Sequence, residues 1–481
     1  MRAFDRSSQL PDAPADCRAR RRGHDFVAIL TLIGLSAFLT AALDHPQVRS
    51  DGFAYYLWLE TLFRDHTLNL SLAVHHYAPF LTYQAVFDAR THRYVTQVPF
   101  GPALLWGPFY LLFARFPAVT VAGIPLHDPA YVTIQGQSLV FSLSVAFASW
   151  AYATVALVMW YAIARRILDV AHALVVTLAV FLGTPMYYYT AVEPTMAHAV
   201  ATFAVTLTVW LVVRSDRLPL DDSSKDPDLV GRPGVRRART GVKLVLDWAL
   251  VGLTIGLAGT SRWQLVLLAI PVGILLLSWK GWKELLACGV GTALIFVTVP
   301  VSWLFLFGSP LPSAVGTVHD VWPSQWATVL FSPVAGLFTW SPITILSLIG
   351  LVVLAQRGQR RSALVLILGV AVQVLMNAMA GDGTGGSSFG MRRMTEMDPI
   401  FVIGLAILLR ETHGSNWRRR GVYAATAFCT LFTLGLFFTY VRALIDPASG
   451  SVIDAIVVWL PPHTFSSFYA LRTYHPFGFG T

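Results

Sequence analysis

The sequence predicts an all-α polytopic membrane protein of about eleven transmembrane helices, with a long first outer loop carrying interfacial helices. Three observations carry that prediction. Of 481 residues, 55% are hydrophobic and only 13% charged, with a mean hydropathy of +0.59; soluble domains carry about 25% charge. Apolar runs of roughly 17 to 28 residues recur, long enough to cross a hydrocarbon core of ~30 Å. No alternating segments of about ten residues are visible, as a β-barrel would require.

Residues 1–25 form a basic tail with no lipidation motif. The apolar run behind it lacks a small-residue cleavage site, so it reads as an uncleaved first helix. The expected spans are 26–43, 137–164, 170–189, 196–213, 244–260, 263–279, 285–306, 333–355, 362–379, 399–409 and 421–441. With the tail in the cytoplasm, 25 of the 35 Lys and Arg fall in inner segments, so an inside N-terminus and an outside C-terminus are expected. Arg165 and Arg166 place the end of 137–164 inside, so the apolar run 100–116 has no partner crossing and reads as a helix lying in the outer interface. The membrane domain is thus 26–441, with an outer loop at 44–136 and a polar cytoplasmic linker at 214–243. An outer tail completes the chain at 442–481. A loop of over 90 residues is usually functional.

The basic pI of about 9.6 comes from arginine clusters between apolar runs, a topology signal that implies membrane lipid and no nucleic acid. Cys17, Cys288 and Cys429 have no paired spacing, hence no disulfide framework and no metal motif.

Polar chemistry gathers at the outer helix ends. Asp51, in "RSDGFAYY", is followed by Gly52 and then Tyr55 and Tyr56, whose rings suit sugar faces. Its carboxylate could serve as a general base toward a hydroxyl, or cap a helix beginning at Phe53. Glu193 lies on the next outer turn, with Pro194 favouring the first turn of the helix behind it and His198 one turn on. Arg262 interrupts about 35 apolar residues and either snorkels to headgroups or holds a phosphate. In "GDGTGGSSFGMRRMTEMDP" glycines precede Arg392 and Arg393, then Glu396 and Asp398 on roughly one helical face. Exposed amides beside guanidiniums suit an anion, and local ion pairs are the plainer use. His319 and Asp320 are the weak metal candidates, too few without further ligands. No cofactor is certain, and a divalent cation is left open.

"DGFAYY", "VPFGPALLWGPFYLL", "GTPMYYYTAVEPTMAHA" and "GGSSFGMRRMTEMDP", in this order and topology, resemble the GT-C superfamily of membrane glycosyltransferases. That superfamily includes protein O-mannosyltransferases and the lipid A aminoarabinose transferase; the likeness is to a bacterial subgroup and covers most of 26–410. The resemblance implies a polyprenyl-phosphate-linked sugar donor, a glycan, lipid or protein acceptor, and inverting transfer at the outer face of the bacterial inner membrane. It makes Asp51 the catalytic base, Glu193 the second acid, and Arg262, Arg392 and Arg393 candidates for the donor phosphate, with Tyr55, Tyr56, His198, Glu396 and Asp398 lining the substrate site. In the family the first acid is often followed by another acid; here Gly52 follows Asp51. A lipid-linked glycan transporter or flippase would instead place charges near mid-span on paired broken helices. A non-catalytic envelope-assembly subunit is the other alternative.

Overall fold

The computed structural model describes residues 15–43, 48, 51–78, 81, 84–115, 120–121, 124–125, 139–215, 218–220, 241–311, 322–380, 383–385, 389–412 and 414–441. In chain order the helices are α1 (Ala15–Leu43), α2 (Asp51–Phe63), α3 (Ser71–Tyr77), α4 (Gly101–Ala114), α5 (Leu139–Ala164), α6 (Val170–Gly183), α7 (Met186–Ala191), α8 (His198–Arg214) and α9 (Val242–Ser261). Next come α10 (Ala269–Ser278), α11 (Trp282–Phe296), α12 (Thr298–Phe307), α13 (Trp326–Phe331), α14 (Leu337–Trp340), α15 (Ile343–Gln356), α16 (Arg360–Ala378), α17 (Asp398–Arg410) and α18 (Asn416–Val441). The only described strands form two short antiparallel pairs, β1 (Val86–Asp88) with β2 (Arg93–Val95) and β3 (Thr120–Val121) with β4 (Ile124–Pro125).

Among the described residues six helical segments are long and apolar enough to cross a membrane, and five shorter apolar ones accompany them. Every expected span is occupied by helix, though four are interrupted. The run 170–189 divides at Thr184–Pro185 into α6 and α7, 333–355 at Ser341–Pro342 into α14 and α15, 263–279 opens with a 3-10 turn, Trp263–Leu268, and 285–306 is interrupted at Val297 between α11 and α12. Proline explains the first two, because it lacks the N–H and its ring crowds the preceding turn. α4 has 14 residues, which makes it about 21 Å long, short of a full crossing.

The lipid-facing surface follows the helical period. Leu286, Val290 and Leu294 on α11 are four residues apart and all exposed, and Phe428 and Leu431 on α18, three apart, are exposed too. A strip of bare apolar side chains is stable only against hydrocarbon. Between helices the chain uses small residues instead. A Cβ added to Gly350 on α15 would overlap the Gly404 carbonyl oxygen on α17, and one added to Gly404 would overlap that of Ser347. Backbone contact this close admits no methyl group. Gly350→Ala is expected to lower stability by about 1–3 kcal/mol, read as a fall in the unfolding midpoint in detergent; an unchanged midpoint would contradict this packing.

The first loop has its own core. Phe53, Trp58, Leu59, Tyr77, Trp106 and Tyr110 pack together and against Val299, Trp303 and Leu306 of α12. Buried Glu60 accepts a hydrogen bond from the Tyr110 hydroxyl at 3.0 Å and pairs with Arg64; burial pushes its carboxyl above the ordinary glutamate value. The β1–β2 hairpin is tied to the end of α12. The Thr91 hydroxyl donates to the Leu306 carbonyl at 2.7 Å, and the Arg93 guanidinium donates to the Phe305 carbonyl while lying 3.9 Å over the Phe305 ring. A cation at a helix C-terminus meets the free carbonyls and the negative end of the dipole. The loop is therefore clamped to the bundle, and α2 has a fixed seat.

Candidate active site

α2 begins at Asp51 itself, so the carboxylate stands in the first turn, where the helix N-terminus favours negative charge. Gly52 lets this end settle onto the turn before α8: a Cβ there would lie 2.6 Å from the Thr195 hydroxyl oxygen and 3.0 Å from its carbonyl. That contact accounts for a glycine where a second acid would not fit. Gly52→Ala should push α2 off this turn and lower activity about tenfold or more, since a displacement near 1 Å is enough; an unimpaired variant would show that the contact does not set Asp51.

Three polar groupings meet at this end of the bundle. In the first, Arg392 opens a 3-10 turn, Arg392–Met397, and donates through Nη2 to Asp51 Oδ2 at 2.8 Å. Its Nε donates to the Gly385 carbonyl at 2.9 Å, and Nη1 faces the Met196 sulfur at 3.9 Å. Burial works against the Arg392 charge, yet the Asp51 carboxylate holds it above the ordinary arginine value. The side chain of Arg392 is 11% exposed and that of Asp51 32%. Glu193 is half-buried on the neighbouring turn, where its charge acts on Arg392 and on the Tyr188 and Tyr440 hydroxyls. It does not cap α8, which starts only at His198, and Pro194 stays in the turn.

The second grouping is built on two fully buried side chains, His198 and Glu396, with Arg262 partly buried beside them. Glu396 Oε1 accepts from His198 Nδ1 at 2.9 Å and is ion-paired with Arg262, whose Nε lies 3.2 Å away. Arg262 Nη1 lies 3.3 Å from both ring nitrogens of His198. With the Gln264 amide oxygen turned toward the guanidinium, it accepts from Nη2 at 3.0 Å and Nε at 3.1 Å. The network assigns a neutral His198 donating through Nδ1 and accepting through Nε2. Burial alone would raise the Glu396 carboxyl, but Arg262 and His198 bring it below the ordinary glutamate value. In the third grouping Asp398 accepts from the Thr184 hydroxyl at 2.8 Å, closing the break between α6 and α7 onto the start of α17. Glu396 and Asp398 thus do not share a face: the 3-10 turn ends between them and sends their carboxylates to different helices.

Tyr55 is buried edge-to-face against Trp106 at 6.3 Å, within the fields of Arg262, Asp51, Arg392 and Glu396, and burial pushes its hydroxyl up to about 12. It joins the site because it follows Asp51 by one helical turn. Tyr56 turns away, into the Glu60–Tyr77 cluster of the first loop. Arg393 is half-buried and packs beside Gly385, where a Cβ would lie 3.6 Å from its Nε. His319 and Asp320 lie outside the described residues, as do 221–240 and 442–481. Among the described residues no group of three or more His, Cys, Asp or Glu side chains is arranged for a metal ion, and the Asp51 carboxylate faces a guanidinium.

Several participants were not singled out from the sequence. Gln264 fixes Arg262, Gln373 donates to the Gln264 carbonyl at 3.2 Å, and Asn377 reaches the Met394 sulfur at 3.6 Å. An amide pair four residues apart on one face of an apolar helix was the available signal, since polar groups at membrane depth mark function.

No protein-family model matches the sequence, and no curated protein matches it. Solved structures do. The archaeal oligosaccharyltransferase AglB from Archaeoglobus fulgidus, in complex with an inhibitory peptide and a dolichol-phosphate, superposes with a TM-score of 0.52 at 11% identity, over 84% of this chain and 55% of that one. The chain shares the membrane-domain fold of that structure. It spans about half the length of that enzyme. ArnT from Cupriavidus metallidurans bound to undecaprenyl phosphate also matches, with a TM-score of 0.46 at 13% identity, over 94% of this chain and 76% of that one. The polar groupings sit where α2, α8 and α17 begin and α6 and α9 end, and among the described residues three of the four buried charged side chains, Arg392, Glu396 and Asp398, lie there.

Proposed function

We propose that this protein is a membrane glycosyltransferase that moves a sugar from a polyprenyl-phosphate donor to an envelope acceptor at the outer face of the bacterial inner membrane. In one inverting displacement the acceptor oxygen bonds to the anomeric carbon as the bond from that carbon to the phosphate oxygen breaks. The phosphate keeps the electron pair and leaves as polyprenyl phosphate with one more negative charge. The acceptor proton passes to the Asp51 carboxylate. Arginine charge near the departing phosphate, from Arg392 with Arg393 and Arg262, lowers the barrier by stabilising what develops there. Glu193 is the second acid beside the acceptor, and Tyr55 shapes the sugar site.

One observation carries the reading: within a GT-C fold, a carboxylate still one-third exposed stands 2.8 Å from a nearly buried guanidinium. General base catalysis needs a reachable carboxylate, and departure of a phosphate needs fixed positive charge. Glu396 and Asp398 are too buried to meet an acceptor and serve the frame instead.

The test is mass analysis of envelope glycans in a deletion strain. Loss of one sugar, restored by the wild-type gene and not by Asp51→Asn, is expected. An unaltered envelope would remove the reading.

A further inference from the structure

The contacts of Arg392 bear on the order of events at this site, an inference that rests on the proposed polyprenyl-phosphate donor. Each nitrogen of this guanidinium has a different partner. Nε is held by the Gly385 carbonyl at 2.9 Å, Nη2 by Asp51 at 2.8 Å, and Nη1 faces only the Met196 thioether at 3.9 Å, a weak acceptor. A phosphate binds arginine best through two parallel N–H bonds. With Nε fixed to backbone, the edge left for such a pair is Nη1–Nη2. Its first position is held by sulfur, which yields easily, and its second by Asp51. Each Nη carries two hydrogens, so a phosphate taking this edge meets Asp51 at Nη2 and competes with it for that nitrogen and for the guanidinium charge. The carboxylate has somewhere to go, being 32% exposed at the start of α2, whereas Arg392 is 11% exposed and anchored.

We propose that Arg392 is a latch that binds Asp51 in the resting protein and releases it when the donor phosphate takes the Nη1–Nη2 edge. An ion-paired carboxylate is a poor proton acceptor, because the neighbouring positive charge favours its ionised form. Arg392 thus gives up the base only when there is a sugar to transfer, donor binds before acceptor, and departure of the lipid phosphate resets the pair.

The latch makes a prediction opposite to that for an ordinary binding residue: removing the Asp51 charge should tighten the lipid phosphate. The experiment measures undecaprenyl phosphate binding to purified full-length protein in detergent. Asp51→Asn is expected to bind about tenfold tighter than wild type, as a charge-assisted competitor is lost. In an Arg392→Gln background the same substitution should change affinity less than about twofold, since there is no latch to open. Equal or weaker binding by Asp51→Asn overturns the proposal, and so does a gain that persists without Arg392, which would be plain repulsion between two anions. If Asp51→Asn does not fold, Asp51→Ala gives the same comparison. Wild-type protein that binds no lipid phosphate sinks the donor reading itself, and the latch with it.

Discussion

Asp51→Asn stops sugar transfer, lowering turnover by at least about a hundredfold, while the unfolding midpoint stays within a degree or two of wild type. The substitution is isosteric, and Asn can still accept one hydrogen bond from Arg392, so α2 keeps its seat against Thr195. What it cannot do is take a proton from an acceptor hydroxyl. The two kinetic parameters should therefore part. Turnover collapses, and the apparent KM for donor falls, because the displaced competitor of the phosphate is gone. A residue that merely maintained the fold would lower stability together with turnover. A residue that bound substrate would raise KM. Steady-state transfer with a lipid-linked sugar, beside a melting curve, separates these outcomes; retained turnover in Asp51→Asn would exclude it as the base.

The sequence made the helices legible because their signal is local. A run of apolar residues needs only its own composition to declare itself, and the lipid-facing stripe of Leu286, Val290 and Leu294 repeats it. The site was legible in its parts and illegible in its pairings. Asp51 and Arg392 are 341 residues apart, His198 and Glu396 198 apart, and no period links them. Arg392 and Arg393 looked equivalent, as did Tyr55 and Tyr56. One residue of helix turns a side chain by about 100°, so which of two neighbours enters the site depends on which face meets the bundle. The same applies to Glu396 and Asp398, whose separation depends on a 3-10 turn that the polar spacing did not announce. Glycine was the signal most open to reinterpretation. Gly52 departs from an acidic pattern in the sequence and in the structure is a contact surface for Thr195.

Glu396→Ala lowers stability by about 3–5 kcal/mol, the usual loss when one partner of a buried ion pair is removed. Glu396 has no exposed surface, and its Oε1 accepts from His198 and forms an ion pair with Arg262. Truncation leaves the Arg262 guanidinium with the Gln264 amide and a neutral imidazole, neither of which offsets a buried charge. Removing the charge as well should then recover part of the loss. Glu396→Gln combined with Arg262→Gln is expected to be more stable than the sum of the single changes by about 1 kcal/mol or more. Acid gives a second reading of the same pair. Arg262 and His198 lower the Glu396 carboxyl below the ordinary glutamate value of 4.5. The stability it contributes is therefore present above that pH and disappears as pH falls through the lowered native value. Wild type should lose stability across that acid window and Glu396→Gln should lose less, measured as unfolding midpoints in detergent from pH 6 downward. Additive single and double variants, or parallel pH curves, would mean that the Arg262–Glu396 contact holds no energy and that the charge of Arg262 is balanced elsewhere.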